Sequence, residues 1–157
     1  MSYSWLKLLH VVAVLALLAT HGVSMFVLYA IRRERDRKRI LDLISLSGLS
    51  IGPMYVSILA IVAFGAWLWW KVYPLDTWWL WIAVALLILT IGLMNATAKP
   101  YFARVKEACQ VRPSGVPRVS DEELGEVLAS ARAHLITAIG LIGLLAILYL
   151  MIFKPRF

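Results

Sequence analysis

The fold is decided by long apolar stretches, of which the clearest is residues 133–153, AHLITAIGLIGLLAILYLMIF. This stretch holds no Asp, Glu, Lys or Arg. A helix needs about 20 apolar residues to cross the bilayer core, and 5–31, 51–70 and 78–98 also qualify. In none of the four do apolar and polar residues alternate with period two, which argues against strands. We predict an all-α, polytopic membrane protein, with four transmembrane helices in an antiparallel bundle forming a single membrane domain, 1–157.

The composition agrees with this prediction. Hydrophobic residues make up 62% of the chain and charged residues only 16%, whereas soluble domains are about half apolar and a quarter charged. A chain of 157 residues cannot bury that much apolar surface within itself. The composition therefore excludes a disordered chain, a coiled coil and an ordinary soluble enzyme, and it predicts the lipid bilayer as the main partner. The first stretch is long and lacks a small-residue cleavage site, so we expect a retained span.

The basic residues predict how the chain crosses the membrane. Of 16 Lys and Arg, six lie in 32–39 and six in 99–132, and basic loops face the cytoplasm. We therefore expect 32–50 and 99–132 to be cytoplasmic loops, with both termini outside the cytoplasm. The net charge of +7 is distributed between apolar stretches, without a nucleic-acid-binding motif, so no nucleic-acid partner is expected.

Tryptophan distribution gives independent support for this orientation. All seven tryptophans lie near the predicted outer surface, where indole rings favour the membrane interface. They are either lipid anchors or an aromatic platform for a quinone, a pigment or a partner subunit. The tryptophans are Trp5, Trp67, Trp69, Trp70, Trp78, Trp79 and Trp81.

Turn and helix signals fill in the connecting segments. Residues 48–52 predict a bend before span two, Pro53 is expected near the start of that span, and Pro100 is expected to end span three. Ser120 followed by three acidic residues has the pattern of a capping box, which predicts a helix continuous with span four. Its acidic residues either pair with the 32–39 cluster or remain solvated.

Two further observations limit the chemistry. The single cysteine, Cys109, excludes an internal disulfide or a cysteine metal cluster, and we expect it to be a free thiol. No intramembrane carboxylate pair, nucleophile–base pattern or phosphate-binding glycine loop is present, so no catalytic residue is predicted.

Three histidines are the candidate cofactor-binding residues, because ionisable groups are costly within a bilayer. His10 and His21 are eleven residues apart, about three helical turns, and so share a face. His134 opens span four, where Gly140 and Gly143 would permit close helix packing. Imidazole is suited to haem iron or copper; the alternative is hydrogen bonding between helices. Measured along the helices from the outer ends of spans one and four, His21 is about 24 Å deep, His134 about 28 Å and His10 about 8 Å. The similar depths of the first two favour a His21–His134 pair.

Two sequences at the ends of the chain resemble known membrane proteins. Residues 5–12, WLKLLHVV, resemble the first span of the HemJ-type protoporphyrinogen oxidases and of the copper-resistance CopD domain. Residues 150–155, LMIFKP, resemble the end of a bacterial family of four-span integral membrane proteins of unknown function. The resemblance implies a location in the bacterial inner membrane. The HemJ likeness implies His10 as a ligand of haem b, and the CopD likeness implies copper handling.

The leading functional hypothesis is a non-enzymatic accessory or assembly subunit that packs in the membrane against a larger complex. This hypothesis is favoured by the absence of catalytic patterns, by the small residues in the spans and by the aromatic belt. The alternative is a haem b or copper redox protein that uses the intramembrane histidines. A small transporter is a third hypothesis, although it would require more intramembrane charge.

Overall fold

A computed structural model describes residues 2–74 and 76–155. In this part of the chain the only β-structure is one isolated bridge, between Val111 and Pro117. Four helical segments are long and apolar enough to cross a membrane, which confirms the predicted all-α class with four spans. The helices are α1 (Tyr3–Arg33), α2 (Arg37–Val72), α3 (Trp78–Ala108), α4 (Asp121–Ala129) and α5 (Arg132–Phe153).

The apolar side chains of the long helices are largely exposed. Phe26 is 76% exposed, Leu59 69% and Ile142 66%, and many other large apolar residues of the same helices are comparable. Soluble monomers rarely expose contiguous apolar surface beyond a few hundred Å². These helices are therefore built for contact with lipid, and the chain is a multi-pass membrane protein.

The helices continue beyond the apolar stretches that identify them. Helix α2 begins at Arg37, so residues 48–52 are helical and Pro53 lies in a helix interior; the predicted bend is wrong. Helix α3 also continues through Pro100 to Ala108 rather than ending there. A proline removes one backbone donor. The neighbouring residues nevertheless stay helical, because backbone groups without hydrogen bonds are costly in a bilayer.

The connection between α1 and α2 is short and hydrogen-bonded to itself. Oε1 of Glu34 accepts from the amides of Arg35 and Asp36, at 2.8 and 3.0 Å. These bonds lower the pKa of the Glu34 carboxyl. Oδ1 of Asp36 accepts from the Lys38 amide at 2.9 Å, so Asp36 caps the first turn of α2. The caps explain why the helix begins here, well before the apolar stretch 51–70.

The chain forms two compact units. The first combines Met1–Leu28 with Asp42–Asp76. In it α1 and α2 run antiparallel, because contacts join His10 to Ile61 and Ser24 to Ser50.

The second unit combines Tyr29–Leu41 with Thr77–Phe157, and within it α3 packs along α5. A methyl group on Gly143 would collide with the Thr90 side chain. This contact confirms that a small residue in span four permits close helix packing.

Helix α4 begins as predicted but ends sooner. The Ser120 hydroxyl accepts from the Glu123 amide at 3.1 Å, which confirms the cap. The predicted continuity with span four is wrong, because Ser130, with ψ 137°, separates α4 from α5. The Ser130 hydroxyl accepts from the Arg132 amide at 3.3 Å. This local bond competes with a continuous helix.

Candidate functional site

His10 is held by a backbone carbonyl within the first unit. Its Nδ1 lies 3.1 Å from the Ile61 oxygen. A carbonyl only accepts, so Nδ1 carries a proton, and in the neutral ring Nε2 keeps its lone pair. The ring also packs against Gly65, where an added Cβ would lie 3.1 Å from Cε1. This arrangement fixes the tautomer in which Nε2 is available to a ligand.

A cluster of serines lies further along the same helix pair. The Ser47 hydroxyl donates to the Ser24 hydroxyl at 3.0 Å. The Ser24 and Ser50 oxygens are 3.2 Å apart, and the Ser50 hydroxyl donates to the Ser47 carbonyl at 2.7 Å. These bonds join α1 to α2 through polar atoms that are otherwise costly in lipid. The cluster was not predicted from the sequence, although the two serines of α2 that lie three residues apart are a signal for it.

His21 differs from these neighbours. The side chain is half-buried, and no described residue of the first unit hydrogen-bonds to its ring. Thr20, beside it, donates to the carbonyls of Ala16 and Leu17 in its own helix. His21 is thus a polar group within a span whose hydrogen bonds are not made by its own unit.

His134 lies in the first turn of α5, within the second unit. Its Nδ1 is 3.4 Å from the Tyr29 hydroxyl and its Nε2 is 3.4 Å from Nη2 of Arg32. The Tyr29 and His134 rings are 5.9 Å apart. A guanidinium only donates, so Nε2 accepts, and its lone pair faces a cation. This environment disfavours a metal ion on His134.

The described residues contain no group of three or more His, Cys, Asp or Glu side chains that could hold a metal ion. The histidines therefore enter no multi-ligand cluster within this part of the chain. The pairing of His21 with His134 stays a prediction. Of the three, His10 is the one whose ring is held through Nδ1 by a backbone carbonyl among the described residues.

The second unit brings the arginines of 32–39 against the ends of other helices. Nη1 of Arg32 donates to the Ser130 carbonyl at 2.7 Å, and Nη2 to that of Ala129 at 3.3 Å. Both carbonyls lie at the C-terminal end of α4, where cations are favoured. The same guanidinium acts electrostatically on Tyr101, whose buried hydroxyl has no partner with hydrogen-bond geometry among the described residues.

Arg37 makes a second anchor of the same kind. Nη1 donates to the Ala108 carbonyl at 2.6 Å, and Nη2 donates to the Val119 carbonyl at 2.9 Å and to Asp121 at 2.7 Å. The Arg37 side chain is 13% exposed and that of Asp121 92%. The pairing of the acidic cluster with 32–39 is confirmed for this one pair. The structural role of Arg32 and Arg37 was not predicted, because in the sequence they are two of six basic residues in 32–39.

Cys109 is a free thiol, as predicted, but it is buried rather than in an open loop. It is the C-terminal cap of α3 and is 1% exposed. Burial raises the pKa of the thiol, and the nearby Arg37 partly opposes the shift. A buried, protonated thiol is unreactive.

No protein-family model, curated protein or solved structure matches the chain.

Proposed function

We propose that this protein is a non-enzymatic accessory or assembly subunit of the bacterial inner membrane, which packs in the bilayer against a larger complex. The polar groups of its spans are used mainly in internal packing. His10 bonds to Ile61, and the Ser24, Ser47 and Ser50 cluster joins α1 to α2. Such bonds serve assembly of helices rather than chemistry.

His21 is the observation that carries this proposal. An unpaired polar side chain in an apolar environment costs about 1–3 kcal/mol. That cost is removed when the ring meets a donor or acceptor outside its own unit. A helix of a neighbouring subunit would supply such a group and would bury the apolar faces of α1 and α2.

The proposed orientation places 32–50 and 99–132 in the cytoplasm and both termini outside. It is supported by the basic-residue distribution and by the contacts of Arg32 and Arg37 with the segment 99–132. Those contacts put the two basic segments at one end of the second unit.

The test is the size of the assembly that contains the chain at its natural level of expression. Membranes would be solubilised in mild detergent, and the epitope-tagged chain separated on a native gel. We expect it to migrate well above the 17.7 kDa of the chain, together with other polypeptides in fixed ratio. Migration as a monomer, or as an oligomer of this chain alone, would contradict the proposal.

His10 favours a second candidate function, a haem b or copper redox protein. Its Nδ1–carbonyl bond leaves Nε2 free to ligate, as in many metal-bound histidines. His10 would hold the iron of haem b through this nitrogen, and bound haem would supply one-electron transfer. The test is the absorption spectrum of the purified protein. A Soret band that His10→Ala removes and His134→Ala retains would favour this function, whereas a spectrum without one would exclude haem.

A further inference from the structure

A groove of about 450 Å³ opens in the second unit, between the end of α3, the segment that follows it, and α4. Three arginines line it: Arg104, Arg112 and Arg118. Its apolar lining consists of Ala108, Val119 and Val127. The volume lies within the range of small-molecule sites, and the charged side chains that line the groove are exposed.

The arginines of the groove have no partners in the described chain. None of the three guanidinium groups forms a salt bridge or a side-chain hydrogen bond with a described residue. The carboxylates of Glu107 and Glu123 also line the groove but lie outside ion-pair distance of the arginines. Opposite charges in one groove, unpaired with one another, are suited to a ligand that carries both an anion and hydrogen-bond donors.

Arg104 is the residue of the groove nearest to the apolar stretch of α3. It lies six residues beyond the end of that stretch at residue 98, which is about 9 Å along a helix. Each headgroup layer is about 5–8 Å thick. Arginine side chains reach back toward the interface along their aliphatic stems, so the guanidinium of Arg104 is within reach of lipid phosphate.

The shape of the groove is fixed by Arg37. Its guanidinium hydrogen-bonds the carbonyls of Ala108 and Val119, and both residues line the groove. One side chain therefore holds the end of α3 at a set distance from the segment before α4. A site held in this way is preorganised, which reduces the entropic cost of binding.

We propose that this groove binds the headgroup of a phospholipid whose alcohol carries hydroxyl or ammonium donors, as glycerol and ethanolamine headgroups do. The three arginines hold the phosphate, since guanidinium groups match phosphate oxygens in pairs. Glu107 and Glu123 accept from the donors of the alcohol. A choline headgroup, which lacks such donors, binds more weakly.

The experiment measures lipids retained by the full-length chain. The protein would be placed in phosphatidylcholine nanodiscs doped with phosphatidylglycerol or phosphatidylethanolamine, and bound lipid counted by native mass spectrometry. The groove variant is Arg104→Gln/Arg112→Gln/Arg118→Gln. The matched control is Arg33→Gln/Lys99→Gln/Arg132→Gln, which removes three exposed charges of the same unit outside the groove. Circular dichroism shows whether both variants fold.

We expect the unaltered chain and the control to retain the doped lipid in preference to phosphatidylcholine. We expect the groove variant to lose at least about tenfold in retention, the equivalent of about 1.4 kcal/mol. Equal retention of the doped lipid by the groove variant and the control variant would overturn the proposal. It would show that the lipid is attracted by the overall positive charge and not by the groove. Binding of soluble glycerol phosphate without lipid retention would overturn the lipid assignment. If the groove variant fails to fold, the single variant Glu107→Gln decides: loss of the preference over phosphatidylcholine supports the proposal, and an unchanged preference overturns it.

Discussion

The guanidinium of Arg37 lies 2.6 Å from the carbonyl oxygen of Ala108, so a side chain from the start of α2 closes the C-terminal end of α3. Arg32 does the same at the end of α4. The last carbonyls of a helix lack internal partners and carry the negative end of its dipole. Two residues of the basic segment 32–39 are therefore structural, while four remain exposed.

Replacing Arg37 is expected to loosen the extramembrane end of the second unit. Arg37→Gln should lower the local free energy of opening by about 2 kcal/mol, because charge-assisted hydrogen bonds to carbonyls are lost. The measurement is hydrogen exchange of the amides in 104–127. Arg39→Gln is the control, since Arg39 is 74% exposed and lies 3.9 Å from Glu34, and it should change opening by less than about 0.5 kcal/mol. Equal exchange in the two variants would show that Arg37 is not an anchor.

Removing the cap of α4 should weaken that helix alone. Ser120→Ala is expected to cost about 1 kcal/mol, since the Glu123 amide loses its acceptor. Exchange of the amides at 122–124 measures the effect. Ser114→Ala, in the exposed segment before the helix, is the control and should leave those amides unchanged. If Ser120→Ala leaves them protected as well, the cap does not stabilise α4.

Two glycine substitutions should separate close packing from helix propensity. Gly143→Ala is expected to destabilise the second unit by about 1–3 kcal/mol, because the new methyl meets the Thr90 side chain. Gly92→Ala places its methyl in open space on α3 and should be neutral or stabilising by up to about 1 kcal/mol, because alanine favours the helix more than glycine does. Thermal unfolding in one detergent compares them. A Gly143→Ala variant as stable as Gly92→Ala would contradict close α3–α5 packing.

The buried thiol of Cys109 should resist modification. The thiolate is the reactive form of cysteine, and burial raises the pKa of the Cys109 thiol. An impermeant maleimide near neutral pH should therefore label the protein in neither intact cells nor broken membranes. The same raised pKa means that the contribution of the thiol to stability is present below about pH 8.5 and is lost as the pH rises further. Rapid labelling of native broken membranes would show that the thiol is accessible.

Orientation is therefore measured with introduced cysteines at exposed positions. In a Cys109→Ala background, Ser114→Cys should be labelled only after the membrane is broken, whereas Asp76→Cys should be labelled in intact cells. Both native side chains are exposed, so access depends on the side of the membrane. The reverse pattern would invert the proposed topology.

The fold class follows from the sequence because apolar length determines membrane spans almost independently of detail. The ends of the helices do not follow from it. Prolines usually mark helix boundaries in water-soluble proteins, but here the helix continues on both sides of Pro53 and of Pro100. At the break between α4 and α5, the Ser130 hydroxyl accepts from the Arg132 amide and the Ser130 carbonyl accepts from Arg32. Neither hydrogen bond can be read from the periodicity of the sequence.

The candidate site was predictable only as a set of residue types. Histidines within spans are identifiable because ionisable groups are rare there. The Ile61 carbonyl that fixes His10, and the arginine that faces His134, are tertiary contacts between residues far apart in sequence. The three arginines of the groove are separated by up to 14 positions (104 to 118), and only the course of the chain after α3 brings them to one groove.

The most direct test of the proposed function compares two neighbouring side chains of α1 at the same depth. His21→Leu removes the group that we propose is satisfied by another subunit, whereas Thr20→Val removes a hydroxyl that bonds only within its own helix. Each variant would be expressed at the natural level and the size of its assembly measured on native gels. We predict that His21→Leu migrates as the free chain and that Thr20→Val stays in the larger complex. Full retention of His21→Leu in that complex would contradict the proposed role of His21.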